Sequence, residues 1–219
     1  AEETYRQIVA DDPSDTDGHF YLAALQLRRG EDVDAIRSIG CAINCDPKNA
    51  RNHVAHGQIL REQKKTVEAE TAFEKALAIE PDNGDAYTNL GGLLFELGRY
   101  DDAAFTLRKA LIYHPNHTPA ATQLGRALLR LQRVEEAVSL FHAVLQIDPH
   151  DANVQINIGI GCTLLGDLAG AQEAFEAALL KEPDNVEAHV NYAHLLLLQG
   201  DFEAGYREHE WRLKKTGYR

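Results

Sequence analysis

Four carboxamide side chains recur at a single spacing: Asn89, Gln123, Asn157 and Asn191 follow one another at intervals of 34 residues. A carboxamide both donates and accepts hydrogen bonds. A row of them can therefore hold a polypeptide main chain whatever its side chains are. Arg126 and Arg130, one helical turn apart, add a cationic spot. Other chemistry-bearing groups lead less far. Cys41 and Cys45 share a helical face at a spacing of four, but two sulfurs alone do not complete a tetrahedral metal site, so they are read as packing thiols. His114 and His117 flank Pro115 and offer too few ligands for a metal. Gly159 and Gly161 follow no strand and are read as helix-packing residues, not a phosphate loop. No HExxH pattern occurs, and no carboxylate is marked for a raised pKa. The chain is accordingly read as one that binds and is not an enzyme, with no cofactor and no metal.

The elements that position these groups are set by a ladder of prolines. Pro13, Pro47, Pro81, Pro115, Pro149 and Pro183 lie 34 residues apart, and only Pro119 falls outside the series. With the ladder proline at position 32 of each repeat, the full repeats are 16–49, 50–83, 84–117, 118–151, 152–185 and 186–219, and residues 1–15 form the second half of an earlier one. Position 8 is small (Ala23, Gly57, Gly91, Gly125, Gly159, Ala193), and so is position 20 (Ala1, Ala35, Ala69, Ala103, Ala137, Ala171, Gly205). Position 24 is mostly large: Tyr5, Ile39, Phe73, Leu107, Phe141, Phe175. Small residues facing large ones let two helices approach and fill the space between them.

Turn chemistry agrees. Position 15 is Gly30, Gly98, Gly166 and Gly200, where a first helix ends in a left-handed residue. Lys64 and Gln132 depart from this, each at a cost of about 1 kcal/mol. The ladder proline blocks continuation of the second helix. Two residues later come Asp15, Asn49, Asn83, Asp151 and Asn185, ready N-caps for the next helix. At the sixth such place stands His117, followed by Pro119 in the first helical turn, where proline is tolerated.

Composition bounds the partner. The 219 residues carry a net charge of −12. A chain this acidic repels phosphate backbones and anionic membrane surfaces, so nucleic acid and membrane are poor partners and a protein or peptide fits better. The longest uninterrupted aliphatic stretch runs only from Leu195 to Leu198, so no membrane insertion is expected. Three cysteines without an even framework suit a reducing compartment, and the cytoplasm is expected. The sequence starts at Ala1, halfway through a repeat, and contains no methionine, which is the expectation for an excised piece.

Small positions 8 and 20, a large position 24 and a proline at 32 on a 34-residue period resemble the tetratricopeptide repeat family over essentially the whole chain. The resemblance implies an all-α fold: a right-handed α-α superhelix, or solenoid, of about six and a half helix pairs with one concave groove. It further implies that first-helix positions 2, 5, 6, 9, 12 and 13 line that groove. The carboxamides Asn89, Gln123, Asn157 and Asn191 then fall at position 6, beside Gln58, Arg126 and His194 at position 9, Arg61 and Phe95 at position 12, and Arg130 at position 13. Packed helices lie about 8–10 Å apart, so such a ladder tracks an extended segment at about three residues per repeat. It is similar to the asparagine ladder of the tetratricopeptide arm of O-linked N-acetylglucosamine transferases. The Lys and Asn set of the carboxylate clamp in chaperone-binding members is not found. Position 4 departs from the family's large aromatic: Tyr87 keeps it, whereas His19, His53 and His189 are expected to fill part of the same space.

The last repeat is atypical, with Gly205 at position 20, His209 at position 24 and the sole tryptophan at Trp211. A polar capping helix is one reading. The stretch Gly200, Asp201, Phe202, Gly205, Tyr206, Glu208, Glu210, Trp211 and Arg212 also resembles the final repeat of bacterial tetratricopeptide arrays that precede a glycosyltransferase-like domain. Three functions follow: a scaffold holding an extended peptide in the groove; the substrate-recruiting arm of such a transferase; and a homo-oligomer formed through the open solenoid ends.

Overall fold

The structure is a computed structural model and describes residues 2–215, Lys214 and Lys215 by their backbone alone. Ala1, assigned to position 20 of the partial repeat, and residues 216–219 of the last repeat lie outside the described residues. Chain contacts divide it into two compact units, residues 1–115 and 116–219. The described residues of both are helical, with no strand among them.

The first unit holds α1 (Glu2–Asp11), α2 (Thr16–Arg28), α3 (Asp32–Cys45), α4 (Ala50–Glu62), α5 (Thr66–Ile79), α6 (Gly84–Glu96) and α7 (Tyr100–Tyr113). The second holds α8 (Thr118–Arg130), α9 (Val134–Ile147), α10 (Ala152–Leu165), α11 (Leu168–Lys181), α12 (Val186–Gln199), α13 (Phe202–His209) and the short α14 (Arg212–Lys215). Within the first unit α2 packs on α3, α4 on α5 and α6 on α7; within the second α8 packs on α9, α10 on α11 and α12 on α13. Each hairpin also rests on its neighbour, through α3 on α4 and α5 on α6, and through α9 on α10 and α11 on α12.

The small-to-large pairing accounts for these hairpins. Gly125 in α8 faces the Phe141 ring of α9 so closely that an added Cβ would lie 2.4 Å from the ring. Gly159 and Phe175 repeat the arrangement in α10 and α11, as do Gly57 and Phe73 in α4 and α5. Phe73, Phe141 and Phe175 are at most 1% exposed. Burying each contributes about 1.5–3 kcal/mol of transfer free energy. Gly161 packs on Val138 instead, which accounts for the Gly159–Gly161 pair as packing residues.

Gly30, Gly98, Gly166 and Gly200 have φ between 74° and 85°, and Lys64 and Gln132 adopt the same left-handed conformation at 61° without glycine's freedom. Asp15, Asn83, Asp151 and Asn185 cap the helices that follow them through their side chains. Asn49 does not: its backbone has the cap conformation, but its side chain makes no cap bond to α4. Pro119 occupies the first turn of α8.

The histidines at position 4 do more than fill space. His19 Nε2 lies 3.0 Å from the Pro13 carbonyl, His53 Nε2 2.9 Å from that of Pro47, and His189 Nε2 2.8 Å from that of Pro183. Each ties the start of a first helix to the turn six residues before it. Cys45 also differs from a packed thiol. It is exposed and donates to the Pro13 carbonyl at 3.7 Å, while Cys41 is half-buried. Cys162 is buried; desolvation, then the negative charge of Asp167, pushes its thiol pKa up.

The last hairpin is closed by side chains of its own second helix. Asp201 caps α13 through the Ala204 N–H, and an added Cβ at the buried Gly205 would lie 2.8 Å from the Leu197 side chain. His189 Nδ1 meets Glu208 Oε2 at 2.5 Å, and Trp211 stacks on the same imidazole. Among the described residues no helix is long and apolar enough to cross a membrane, and no group of three or more His, Cys, Asp or Glu side chains could hold a metal.

Candidate functional site

The first helices of each unit lie side by side: α2, α4 and α6 in the first, α8, α10 and α12 in the second. Their second helices cover the other flank, so positions 5, 6 and 9 are the ones a hairpin core does not consume. In the second unit these helices form a cleft of about 410 Å³. Thr118, Pro119, Thr122, Gln123 and Arg126 of α8 line it, with Asp151, Asn153, Ile156 and Asn157 at and within the start of α10, and Glu187 of α12. Ile156, 2% exposed, supplies an apolar patch; the rest of the lining is mainly polar.

The carboxamides are held in two ways. Asn157 Nδ2 donates to the Asn153 carbonyl one turn earlier at 2.8 Å, and Asn191 Nδ2 to the Glu187 carbonyl at 2.9 Å. Asn89 Nδ2 does the same to Asp85 at 2.8 Å in α6. This bond fixes the rotamer and turns Oδ1 away from the helix's own backbone. Gln123 is half-buried, and its Oε1 is fully buried with no hydrogen-bond donor. A buried acceptor left unmade costs about 1–3 kcal/mol.

The ten residues singled out from the sequence do not form one site. Gln123, Arg126 and Asn157 line the cleft together. Asn191 lies one turn beyond its lining residue Glu187, and Arg130 one turn beyond Arg126. In the first unit Gln58 Nε2 donates to Asn89 Oδ1 at 3.1 Å, so these two amides satisfy each other. Arg61 pairs with Glu96 at 3.8 Å, and Phe95 meets the Tyr100 ring edge-on at 5.3 Å. His194 lies beside His209, with ring centroids 5.7 Å apart. Thr118 and Asp151 were not anticipated, because helix-start positions were read only as caps and turns. Next to the ladder, Tyr192 donates to Glu176 Oε1 at 3.0 Å; burial first, then this bond, pushes its pKa up to about 12 and keeps the phenol a donor.

Comparison with known proteins agrees with this geometry. The sequence pattern described as the tetratricopeptide repeat matches residues 60–111, 94–156 and 164–207. No curated protein matches the chain. Among solved structures, pilF of Pseudomonas aeruginosa superposes with a TM-score of 0.80 at 21% identity, covering 94% of this chain and 93% of that one. PilW, titled a widely conserved type IV pilus biogenesis factor, superposes at 0.83 with 22% identity, over 91% and 92% of the two chains. YrrB, titled a tetratricopeptide repeat protein with an unusual peptide-binding site, superposes at 0.65 with 27% identity, over 86% of this chain and 97% of that one.

Proposed function

The chain belongs to the tetratricopeptide repeat family, whose hairpins serve as scaffolds for protein interaction, and from that premise we propose that its second unit binds an extended protein segment along α8, α10 and α12. The observation that carries this reading is the cleft itself. It lies on the first-helix positions left free by the hairpin cores, and it gathers Gln123 and Asn157 at one-repeat spacing. Asn157 and Asn191 each spend one N–H on their own helix, which leaves an oriented carbonyl and a second N–H for a bound main chain. That pattern suits main-chain recognition, which tolerates varied side chains. The peptide-binding site named for YrrB supports the same use of the fold here.

In the first unit Gln58 and Asn89 are bonded to each other, so a segment reaching them would exchange an existing bond for a new one. The principal binding surface is therefore assigned to the second unit. A library of extended peptides displayed against the whole chain provides ligands. Replacing Gln123, Asn157 and Asn191 together by Ala weakens the selected peptides by tenfold or more, since each amide bond is worth about 0.5–1.5 kcal/mol. Unchanged affinity, with the helical circular dichroism intact, sinks the proposal.

A further inference from the structure

The hydrogen-bonding groups of the α8–α10–α12 cleft are unbalanced, and the imbalance indicates which side chain it receives. Asp151 commits Oδ1 to the backbone N–H groups of Asn153 and Val154, at 2.9 and 3.1 Å, and Oδ2 makes no bond among the described residues. Glu187, exposed at the α12 side, forms no ion pair among the described residues. Gln123 Oε1 is buried without a donor. Asn157, held by its donation to Asn153, presents Oδ1 away from its helix. Four acceptors, two of them carboxylates, thus border one space. Arg126 stands on the α8 side of the same lining. Its charge disfavours a second cation there, so the cleft is polarised from a positive α8 side to a negative α10–α12 side.

We propose, resting on the groove reading above, that this cleft anchors a Lys or Arg side chain of the bound extended segment, its cationic head donating to Gln123 Oε1 and facing the carboxylates of Asp151 and Glu187. Three physical points favour this occupant. A buried orphan acceptor is satisfied by a donor-only group, and ammonium and guanidinium are the side chains that donate without accepting. The volume, about 410 Å³, falls within the range of specific ligand clefts and admits one long side chain with its flanking main chain. The net charge of −12 draws cationic segments toward the chain. An acidic or neutral side chain would leave the two carboxylates facing each other uncompensated. The arrangement also fixes a direction, with the basic residue toward α12 and a carbonyl or acidic group beside Arg126.

The test uses the full chain and one selected peptide, resynthesised with Lys, Arg, Gln or Glu at a single scanned position. Binding is measured by fluorescence anisotropy at low and high salt, with the side-chain amide resonances of Gln123 and Asn157 as the footprint. At one position the Lys and Arg peptides bind about fivefold more tightly than the Gln peptide, as one semi-exposed charge contact allows. The advantage shrinks at high salt. The double variant Asp151→Asn, Glu187→Gln removes it and leaves the Gln peptide's affinity unchanged; Asn keeps the α10 cap, so the fold is retained. If Gln or Glu peptides bind as tightly as Lys at every position while the amides of Gln123 and Asn157 still shift, the basic anchor is overturned and the groove stands. If no peptide moves those amides, the groove reading falls as well.

Discussion

The Trp211 indole lies flat against the His189 imidazole, ring centroids 3.8 Å apart and planes 7° from parallel. His189 is held at both nitrogens, by the Pro183 carbonyl at 2.8 Å and Glu208 Oε2 at 2.5 Å, so the ring that receives the tryptophan is fixed before the stack forms. The last hairpin has no following repeat in the described chain to cover α12, and the indole takes part of that place. The position-4 histidine that elsewhere only ties a turn here becomes a platform.

Removing the indole should therefore loosen the end of the second unit more than its partial exposure suggests. Trp211→Ala is expected to cost about 2 kcal/mol, below the 3–5 of a fully buried tryptophan. Hydrogen exchange should accelerate in α12 and α13 while α8 and α9 keep their protection. His189→Ala should give the same pattern, since it removes the platform. Uniform acceleration across the second unit would mean that the stack is not a local cap.

The hairpin cores make a sharper prediction. An added Cβ at Gly159 would lie 2.6 Å from the Phe175 ring, so Gly159→Ala must displace that ring and is expected to cost about 1–3 kcal/mol. The first full repeat shows the way out: Ala23 occupies the glycine's position there and is buried in one cluster with Ile39. Adding Phe175→Ile to Gly159→Ala should recover part of the loss. A double-mutant cycle by urea unfolding measures the coupling; strictly additive effects would contradict the packing argument.

The fold was legible because its determinants are local and repeated. Proline, glycine and the small-to-large pair act at fixed separations within one hairpin, so six copies of the pattern reinforce one another. The candidate site was legible only as positions. Asn89 and Asn157 occupy equivalent places, yet Asn89 is bonded to Gln58, whereas position 9 of the repeat before Asn157 is Arg126 and offers no such amide in that place. That difference depends on which side chain the preceding helix offers, and periodicity averages over it. Asp151 reads as a cap and is one, but its second oxygen also borders the cleft, a double use that sequence does not display. The position-4 histidines did carry a signal, since each follows a ladder proline by six residues.

The left-handed turns separate conformation from space. At Gly30, Gly98, Gly166 and Gly200 an added Cβ meets nothing within 4 Å, so glycine is needed there for φ alone. Lys64→Gly and Gln132→Gly should each stabilise the protein by up to about 1 kcal/mol, because they relieve backbone strain at φ 61° without altering packing. Gly98→Ala should lose a similar amount. Thermal unfolding of the three variants checks this, and a neutral result for both glycine substitutions would refute it.

His56 in α4 carries the pH dependence. Desolvation, then the charges of His53, Lys75 and Lys65, holds its pKa below the ordinary histidine value of 6.5. The folded state thus takes up the proton less readily than the unfolded one. Above 6.5 both states are neutral at this site and its full contribution is present. As pH falls below 6.5 the unfolded chain protonates first, and stability is lost until the pH passes the depressed folded value, below which the loss levels off. His56→Gln removes the titrating group and should flatten this part of the stability profile between pH 7 and the folded pKa. Urea unfolding across that range, with the His56 ring proton followed by NMR, tests both halves of the argument: a His56 titration at or above 6.5, or an unchanged slope in the variant, would show that burial does not govern this group.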